Sequence, residues 1–258
     1  MAEQRIKPGI SPIPPELRIS GVSDSDYSAL QGYIDTVRTV SMMTYQSVYV
    51  IDFYRGNFLY VSEDPLFLCG RTPDEVMRMG FSYYSHVCLE NEIGMMAAIN
   101  KASFSFFYSL PAEKRTYYSV IYNIHLRSRG DADPLLVEQR LMPLKLTERG
   151  DIWLALCLVS LAADSRPAVA RMVCGNSPKA WAYDTSSGHW AEDITESLTE
   201  NEKTVISLSK RGMTVSEIGR MMYKSAETVK GYRKSIFAKL RVSSITEAIA
   251  CAESRRLI

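Results

Sequence analysis

Between Thr228 and Leu240 the chain reads TVKGYRKSIFAKL, which sets Lys230, Arg233, Lys234 and Lys239 close together in a protein whose net charge is only +1. Cations at this density can hold a polyanion through its phosphates, and lysines one helical turn apart can donate to base edges. From residue 196 to the end there are twelve Lys or Arg against seven Asp or Glu, so the last quarter carries +5 and the remainder −4. Lys224 to Arg241 alone holds six cations and one acid, which accounts for the whole excess. A basic patch confined to one short segment is the electrostatic footprint of a polyanion partner, although a solvated helix face gives similar counts.

Start and stop signals around this segment predict four short helices. Thr199-x-x-Glu202 is a capping box opening the first, and Gly212 is placed to close it. Thr214-x-x-Glu217 is a second box, ahead of the stripe Val215, Ile218 and Met222. Tyr223-Lys224 forms a short turn, Ser225 caps the third helix, and Ser244-x-x-Glu247 opens the fourth. On the third helix, Val229, Tyr232, Ile236 and Leu240 fall on one side, while Lys230 and Lys234 fall together across from them. Gly231 and Ala238 beside the lysines permit close approach to a surface; Arg233 and Lys239 flank the apolar stripe, where they would reach phosphates, and Lys224 and Thr228 stand at the helix entrance. A short helix, a tight turn and a longer cationic helix make a helix-turn-helix, which places its second helix in the major groove. The fourth helix carries Ile245, Ala248, Ile249 and Ala252 on one stripe, read here as a dimerisation face.

Leu198-Thr199, Glu202, Val205, Leu208, Gly212, Glu217-Ile218, Ser225, Thr228-Val229-Lys230, Ile236, Lys239-Leu240 and Val242 resemble the signature of LuxR-type DNA-binding domains over residues 196–258. That resemblance implies that the residues matching Lys230, Gly231 and Lys234 approach bases, that the third helix reads the groove and that the fourth helps dimerise. Asn201 stands where the family usually has Arg, and Tyr232 where His is frequent.

The rest of the chain reads as an α+β unit. Residues 1–45 give a Pro-rich arm with Pro8, Pro12, Pro14 and Pro15, then one amphipathic helix, capped by Asp24 or Ser25, on which Tyr27, Leu30, Ile34, Val37 and Val40 recur. Val48–Phe53 and Phe58–Val61 flank Arg55-Gly56-Asn57 as a hairpin. Short helical pieces around Leu66, Pro73–Met79 and Ile93–Lys101 are separated by Gly70, Gly80 and Gly94. Three strands follow: Tyr117–Arg127, Leu135–Thr147 and Ile152–Leu161. The stretch YVIDFYRGNFLYVSEDPLFLCGRTPDEV resembles the opening of a PAS sensor domain, with Gly70-Arg71-Thr72-Pro73-Asp74-Glu75 in place of the family's G-x-[ST]-x-E-E turn, and the likeness covers residues 46–163. The usual His-Pro-Asp-Asp segment is replaced by Cys88-Leu89-Glu90-Asn91. Residues 164–195 read as a linker with an extra hairpin around Asn176 and Ser187-Gly188, and 196–258 as the DNA-binding domain.

Other reactive residue types point to no chemistry. The histidines, His86, His125 and His189, form no ligand pattern, and the five cysteines, 69, 88, 157, 174 and 251, include no C-x-x-C pair. Cys88 and His86 lie two apart on one segment, and Asp52 enters a hairpin rather than a phosphoacceptor site. No phosphate-binding loop, dinucleotide motif or nucleophile elbow occurs, so neither catalytic residues nor a cofactor are assigned. Phe104, Phe106, Tyr118 and Tyr122 belong to an aromatic concentration that packs the core or lines a ligand pocket. The longest apolar run, Ile152–Ala163, is too short to span a bilayer, and the N-terminus lacks a signal-peptide core. The expectation is a cytoplasmic, homodimeric bacterial transcription regulator: a PAS-like antiparallel sheet with flanking helices, joined to an all-α four-helix reader of double-stranded DNA. Its signal would be a small molecule or a protein at the PAS-like domain. Two alternatives stand beside it: a haem or flavin redox sensor in that half, or a purely structural dimerisation module.

Overall fold

The computed structural model describes residues 19–130, 133–162, 170–175, 177, 179–193, 198–254 and 257–258. These divide into two compact units, one running to Asp193 and one from Leu198 onward.

The first unit opens with α1 (Asp24–Ser28) and α2 (Gln31–Met43), followed by the hairpin β1 (Ser47–Asp52) and β2 (Asn57–Val61). Next come α3 (Pro65–Leu68), α4 (Pro73–Met79), a 3-10 turn at Gly80–Ser82, α5 (Tyr83–Val87), α6 (Glu90–Ser109) and α7 (Ala112–Arg115). Six strands complete it: β3 (Tyr118–Leu126), β4 (Leu135–Leu146), β5 (Ile152–Leu161), β6 (Ala170–Cys174), β7 (Ala180–Asp184) and β8 (His189–Glu192). All eight strands join one antiparallel sheet in the order β2-β1-β5-β4-β3-β6-β7-β8. Two strands, a run of helices and three more strands are the expected order of a PAS-like unit.

Every residue of β1 is buried because helices cover both faces of the sheet there. Tyr49 and Ile51 point into the main core, with Phe67, Val76, Tyr84, Met96 and Phe104 from the helices after β2. Val48 and Val50 point the other way, against Leu30 and Val37 from the N-terminal helices and against Trp153 and Leu154 of β5. Aromatic rings dominate the main core: Tyr49 stacks on Phe67 at 4.1 Å, and Phe58 meets Tyr49, Phe67 and Phe81 edge-on. Pro143 sits inside β4 because the register with β5 shifts at Pro143 to Lys145, which removes the need for its missing N–H.

Four expectations change. The N-terminal helix is two helices, broken at Ala29–Leu30 and capped by Ser23, not Asp24 or Ser25. The break lets Tyr27 donate to the Asp52 carboxylate while Leu30 and Val37 bury themselves on the sheet. Gly94 does not interrupt α6, which runs unbroken for 20 residues. Tyr83–Val87, not anticipated as a helix, buries Tyr83, Tyr84 and Val87 in the main core. Finally, residues 170–192 contribute three paired strands rather than a linker: β6 bonds to β3, the turn before β8 falls at the anticipated Ser187-Gly188, and Trp181 and Trp190 pack on Phe106 of α6. The Pro-rich arm, the proposed exit at Asp164–Arg166 and Asn176 lie outside the described residues.

The second unit holds α8 (Glu200–Lys210), α9 (Val215–Met221), α10 (Ala226–Leu240) and α11 (Ile245–Ser254) around its own core of Val205, Ile206, Ile218, Val229, Ile236 and Leu240.

Since β6 completes the hydrogen bonding of β3, a chain ending at Ala162 should melt at a clearly lower temperature than one ending at Asp193. The shorter version bares the β3 edge and the aromatic surface of Phe106 and Tyr118. Thermal melts followed by circular dichroism compare the two; equal midpoints would show that β6–β8 add nothing to the sheet.

Candidate nucleic-acid interface

Side-chain caps start all four helices of the second unit. Thr199 and Glu202 exchange bonds, Thr199 N–H to Glu202 at 2.7 Å and Glu202 N–H to Thr199 at 3.3 Å. Thr214 and Glu217 repeat the arrangement at the start of α9, and the Ser225 hydroxyl accepts from Thr228 N–H at 3.0 Å to start α10. At α11 the Ser244 hydroxyl accepts from Glu247 N–H at 3.1 Å, but the Glu247 carboxylate takes the Ser243 N–H, one residue earlier than a capping box requires.

The turn between α9 and α10 depends on Gly219. A Cβ there would lie 2.8 Å from the Lys224 carbonyl oxygen, so any larger residue would push the two helices apart. The Lys224 N–H donates to the Gly219 carbonyl at 2.8 Å and closes the turn. The sequence signal for this, a glycine inside a seven-residue helix, went unread.

Helix α10 presents the two faces expected of it. Val229, Ile236 and Leu240 are buried and Tyr232 packs beside them. Lys230 and Lys234 are exposed on the other side, with Gly231 between them. Lys230 pairs with Glu227 at 3.3 Å, a surface contact worth about 0–1 kcal/mol that a stronger anion can displace. Nothing lies within 4 Å of where a Gly231 Cβ would stand, so no neighbour in the chain demands this glycine. It nevertheless costs the helix about 0.5–1 kcal/mol relative to alanine. Arg233 is half-buried, with its guanidinium carbon 5.9 Å from the Phe237 ring centre. Lys224 is exposed, and the exposed Thr228 shares its hydroxyl with Ser225 at 2.8 Å.

Two assignments are corrected. Lys239 does not flank the face as a phosphate contact: its ammonium sits 2.9 Å from Glu202 Oε2 and its side chain is 15% exposed. Likewise the stripe on α11 is not a free dimerisation face. Ala248 and Ala252 are fully buried in the unit's own core, and Ile245 and Ile249 pack against that core. A domain this small needs each apolar stripe for itself.

Glu202 is the residue whose role reaches beyond its motif. Its carboxylate accepts from Thr199 N–H at 2.7 Å, from the Ser235 hydroxyl at 2.6 Å and from Lys239 at 2.9 Å, so one buried anion ties the start of α8 to the middle and end of α10. Burial alone would raise its pKa, but the bonds from Ser235, Thr199 and Lys239 outweigh burial and hold the carboxyl at about 2.

In the first unit, Phe104 and Tyr122 line a cavity of about 10 Å³, with Ile51, Phe53, Tyr84, Asn100, Gln139 and Leu141. That is space for about one water. The Tyr49 and Tyr84 hydroxyls meet at 2.9 Å and Gln139 donates to Tyr49. Burial pushes the Tyr49, Tyr84 and Tyr122 hydroxyls well above the ordinary range, so they remain neutral. Phe106 and Tyr118 lie elsewhere: Phe106 meets Trp181 and Trp190 edge-on, and Tyr118 is tilted against Phe106 and Trp181. His125 is held by Glu92 at 2.6 Å, and exposed His86 lies 2.8 Å from the Ser82 carbonyl; neither lines the cavity. Burial, then the nearby Glu92 and Cys69, push the Cys88 thiol up to about 12, which keeps it from acting as a nucleophile. Asp52 accepts from Tyr54 N–H, Arg55 N–H and Tyr27 and so serves the hairpin. Among the described residues no cluster of three metal-ligating side chains occurs, and no helix is long and apolar enough to cross a membrane.

Residues 196–252 match the luxR family of bacterial regulatory proteins. No curated protein matched the chain. Among solved structures, the chain is similar to a phage VqmA–DPO complex, with 16% identity over 92% of each chain and a TM-score of 0.35. It is also similar to a Vibrio cholerae VqmA dimer described in the absence of target DNA, with 17% identity over 85% of this chain and 87% of that one, TM-score 0.33. A PAS domain from Colwellia psychrerythraea matches with 12% identity over 52% of this chain and 97% of that one, TM-score 0.36.

A carboxyl held at about 2 against an ordinary 4.5 contributes stability that is complete above about pH 4.5 and is lost as pH falls through about 2. The effect amounts to about 3 kcal/mol for the second unit. Glu202→Gln should flatten that acid limb in denaturant melts at pH 2 to 7. Lys239→Ala should destabilise the unit by about 2 kcal/mol at neutral pH, since it strips a charged hydrogen bond from a buried carboxylate. An acid limb unchanged in Glu202→Gln would remove the carboxylate from this role.

Proposed function

We propose that this chain, whose residues 196–252 form a LuxR-type helix-turn-helix domain, is a sequence-specific transcription regulator that reads double-stranded DNA with α10. The observation that carries the reading is Gly231 between two exposed lysines: a helix accepts a costly glycine that nothing inside the chain requires, at the point where its backbone must come nearest a partner. Lys230 and Lys234 then donate to guanine O6 and N7, while Arg233, Lys224 and Thr228 meet phosphates or the groove edge. The protein works where DNA is, in the cytoplasm, as a homodimer whose two reading helices lie about 34 Å apart, one turn of duplex. The PAS-like unit supplies the signal response or the pairing. A small-molecule signal there would have to open the Phe104–Tyr122 cavity, because it now holds about one water.

Lys230→Ala and Lys234→Ala should each weaken binding to the true operator by about 1–3 kcal/mol while changing random-duplex binding far less. Wild-type affinity should fall on the order of 10³-fold between 50 and 200 mM salt if about six phosphates are contacted per dimer. Competition binding with operator and scrambled duplex measures both. Equal small losses on the two duplexes, or a flat salt response, would sink the groove reading.

A further inference from the structure

Three described non-glycine residues have a left-handed backbone: Cys69, Tyr223 and Arg241, at φ 49°, 55° and 58°. That region is disfavoured for any residue with a Cβ and is more usual for glycine or asparagine. Two of the three are compensated within the chain. Cys69 ends α3 with its side chain buried in the core, and Arg241 is the C-cap of α10, its N–H donating to the Ala238 and Phe237 carbonyls at the helix end that favours a cation. Tyr223 has no such return. The residue is 94% exposed; its N–H donates to the Arg220 carbonyl at 3.3 Å, but no side-chain hydrogen bond or ring contact among the described residues holds the phenol.

The turn itself is imposed from beneath, by the close approach of Lys224 to Gly219, and Asn or Gly at 223 would satisfy it at lower cost. A large amphipathic side chain kept fully in solvent on a strained backbone has its use outside the chain. We propose that Tyr223 is a DNA-backbone contact, its hydroxyl donating to a phosphate at the edge of the groove that α10 enters. The proposal rests on the reading of α10 as the groove helix. In that docking geometry the first helix of the pair crosses the backbone and the second enters by its N-terminal end, which leaves the turn between them beside the phosphates. Tyr223 stands two residues before the Ser225 cap, with exposed Arg220 and Lys224 on either side of it in the chain to draw a phosphate near. A neutral phenol supplies one donor to a phosphate oxygen and no charge.

The test uses the full chain with Tyr223→Phe, Tyr223→Asn and Lys230→Ala, a duplex selected by the wild type from a random-sequence pool, and its scrambled counterpart. Tyr223→Phe should weaken both duplexes by the same factor, about 3- to 10-fold. Its slope of log affinity against log salt should match the wild type, because no cation has been removed. Its melting temperature should also match. Tyr223→Asn should bind as weakly as Tyr223→Phe yet melt higher than the wild type, since Asn accepts the turn with less strain. The proposal is overturned if Tyr223→Phe binds both duplexes within about twofold of the wild type while Lys230→Ala still loses the selected duplex. Loss confined to the selected duplex, or a lowered melting temperature of Tyr223→Phe, would equally overturn it by assigning the hydroxyl to a base or to the fold. If Lys230→Ala also binds as the wild type does, the groove reading falls and this contact falls with it.

Discussion

One buried carboxylate determines whether α10 has a fixed direction. Glu202 closes the cap of α8 and at the same time accepts from Ser235 and Lys239, two positions a helical turn apart on α10. The apolar contacts of Val229, Ile236 and Leu240 hold α10 against the unit but allow it to slide or roll, because hydrophobic burial has no direction. Charged hydrogen bonds from two points along a helix to one fixed anion fix both translation and rotation. The exposed side of α10, with Lys230 and Lys234, inherits its orientation from this anchor.

Stability and recognition pull against each other along the same fifteen residues. Gly231 weakens the helix, and the pair Lys230–Glu227 adds little. Gly219 admits the turn only at the cost of a helix interior without a side chain. These losses fall on the outer side and at the turn, while the inner side carries the buried residues, the caps and the Glu202 anchor. Such a division keeps a domain of this size folded although its working surface is poorly optimised for stability.

Most of this organisation was legible because it rests on local rules. Capping boxes at Thr199 and Thr214, the 3.6-residue stripe of α10, the hairpin about Gly56 and the alternation of β3 to β5 are each set by neighbours a few residues away. What was misread depended on distant partners. Lys239 carries the same side chain as Lys230, and only the position of Glu202, 37 residues earlier, makes it an internal cation. The α11 stripe has the same composition whether it faces a second copy or its own core, and the small volume of the unit decided for the core. Strands β6 to β8 are short, and they join the sheet because β6 pairs with β3, some fifty residues upstream, and β7 and β8 add to it in turn, rather than through their own pattern. Phe106 was grouped with Phe104 by proximity in sequence, yet two positions along α6 turn a side chain from the cavity side to the Trp181 cluster.

The distribution of charge adds a consequence that no single contact supplies. The segment from residue 196 carries +5 and everything before it −4, so opposite charge is segregated along the chain while the total stays near zero. Several Debye lengths from any polyanion such a chain would feel almost no net attraction; within about 10 Å its basic segment would be attracted and its acidic remainder repelled. The basic segment is therefore favoured at such an encounter. A protein with the same +1 spread evenly would gain no such alignment and would lose most of its encounters to wrong faces. Modest net charge also limits the non-specific hold that charge alone would give on a polyanion.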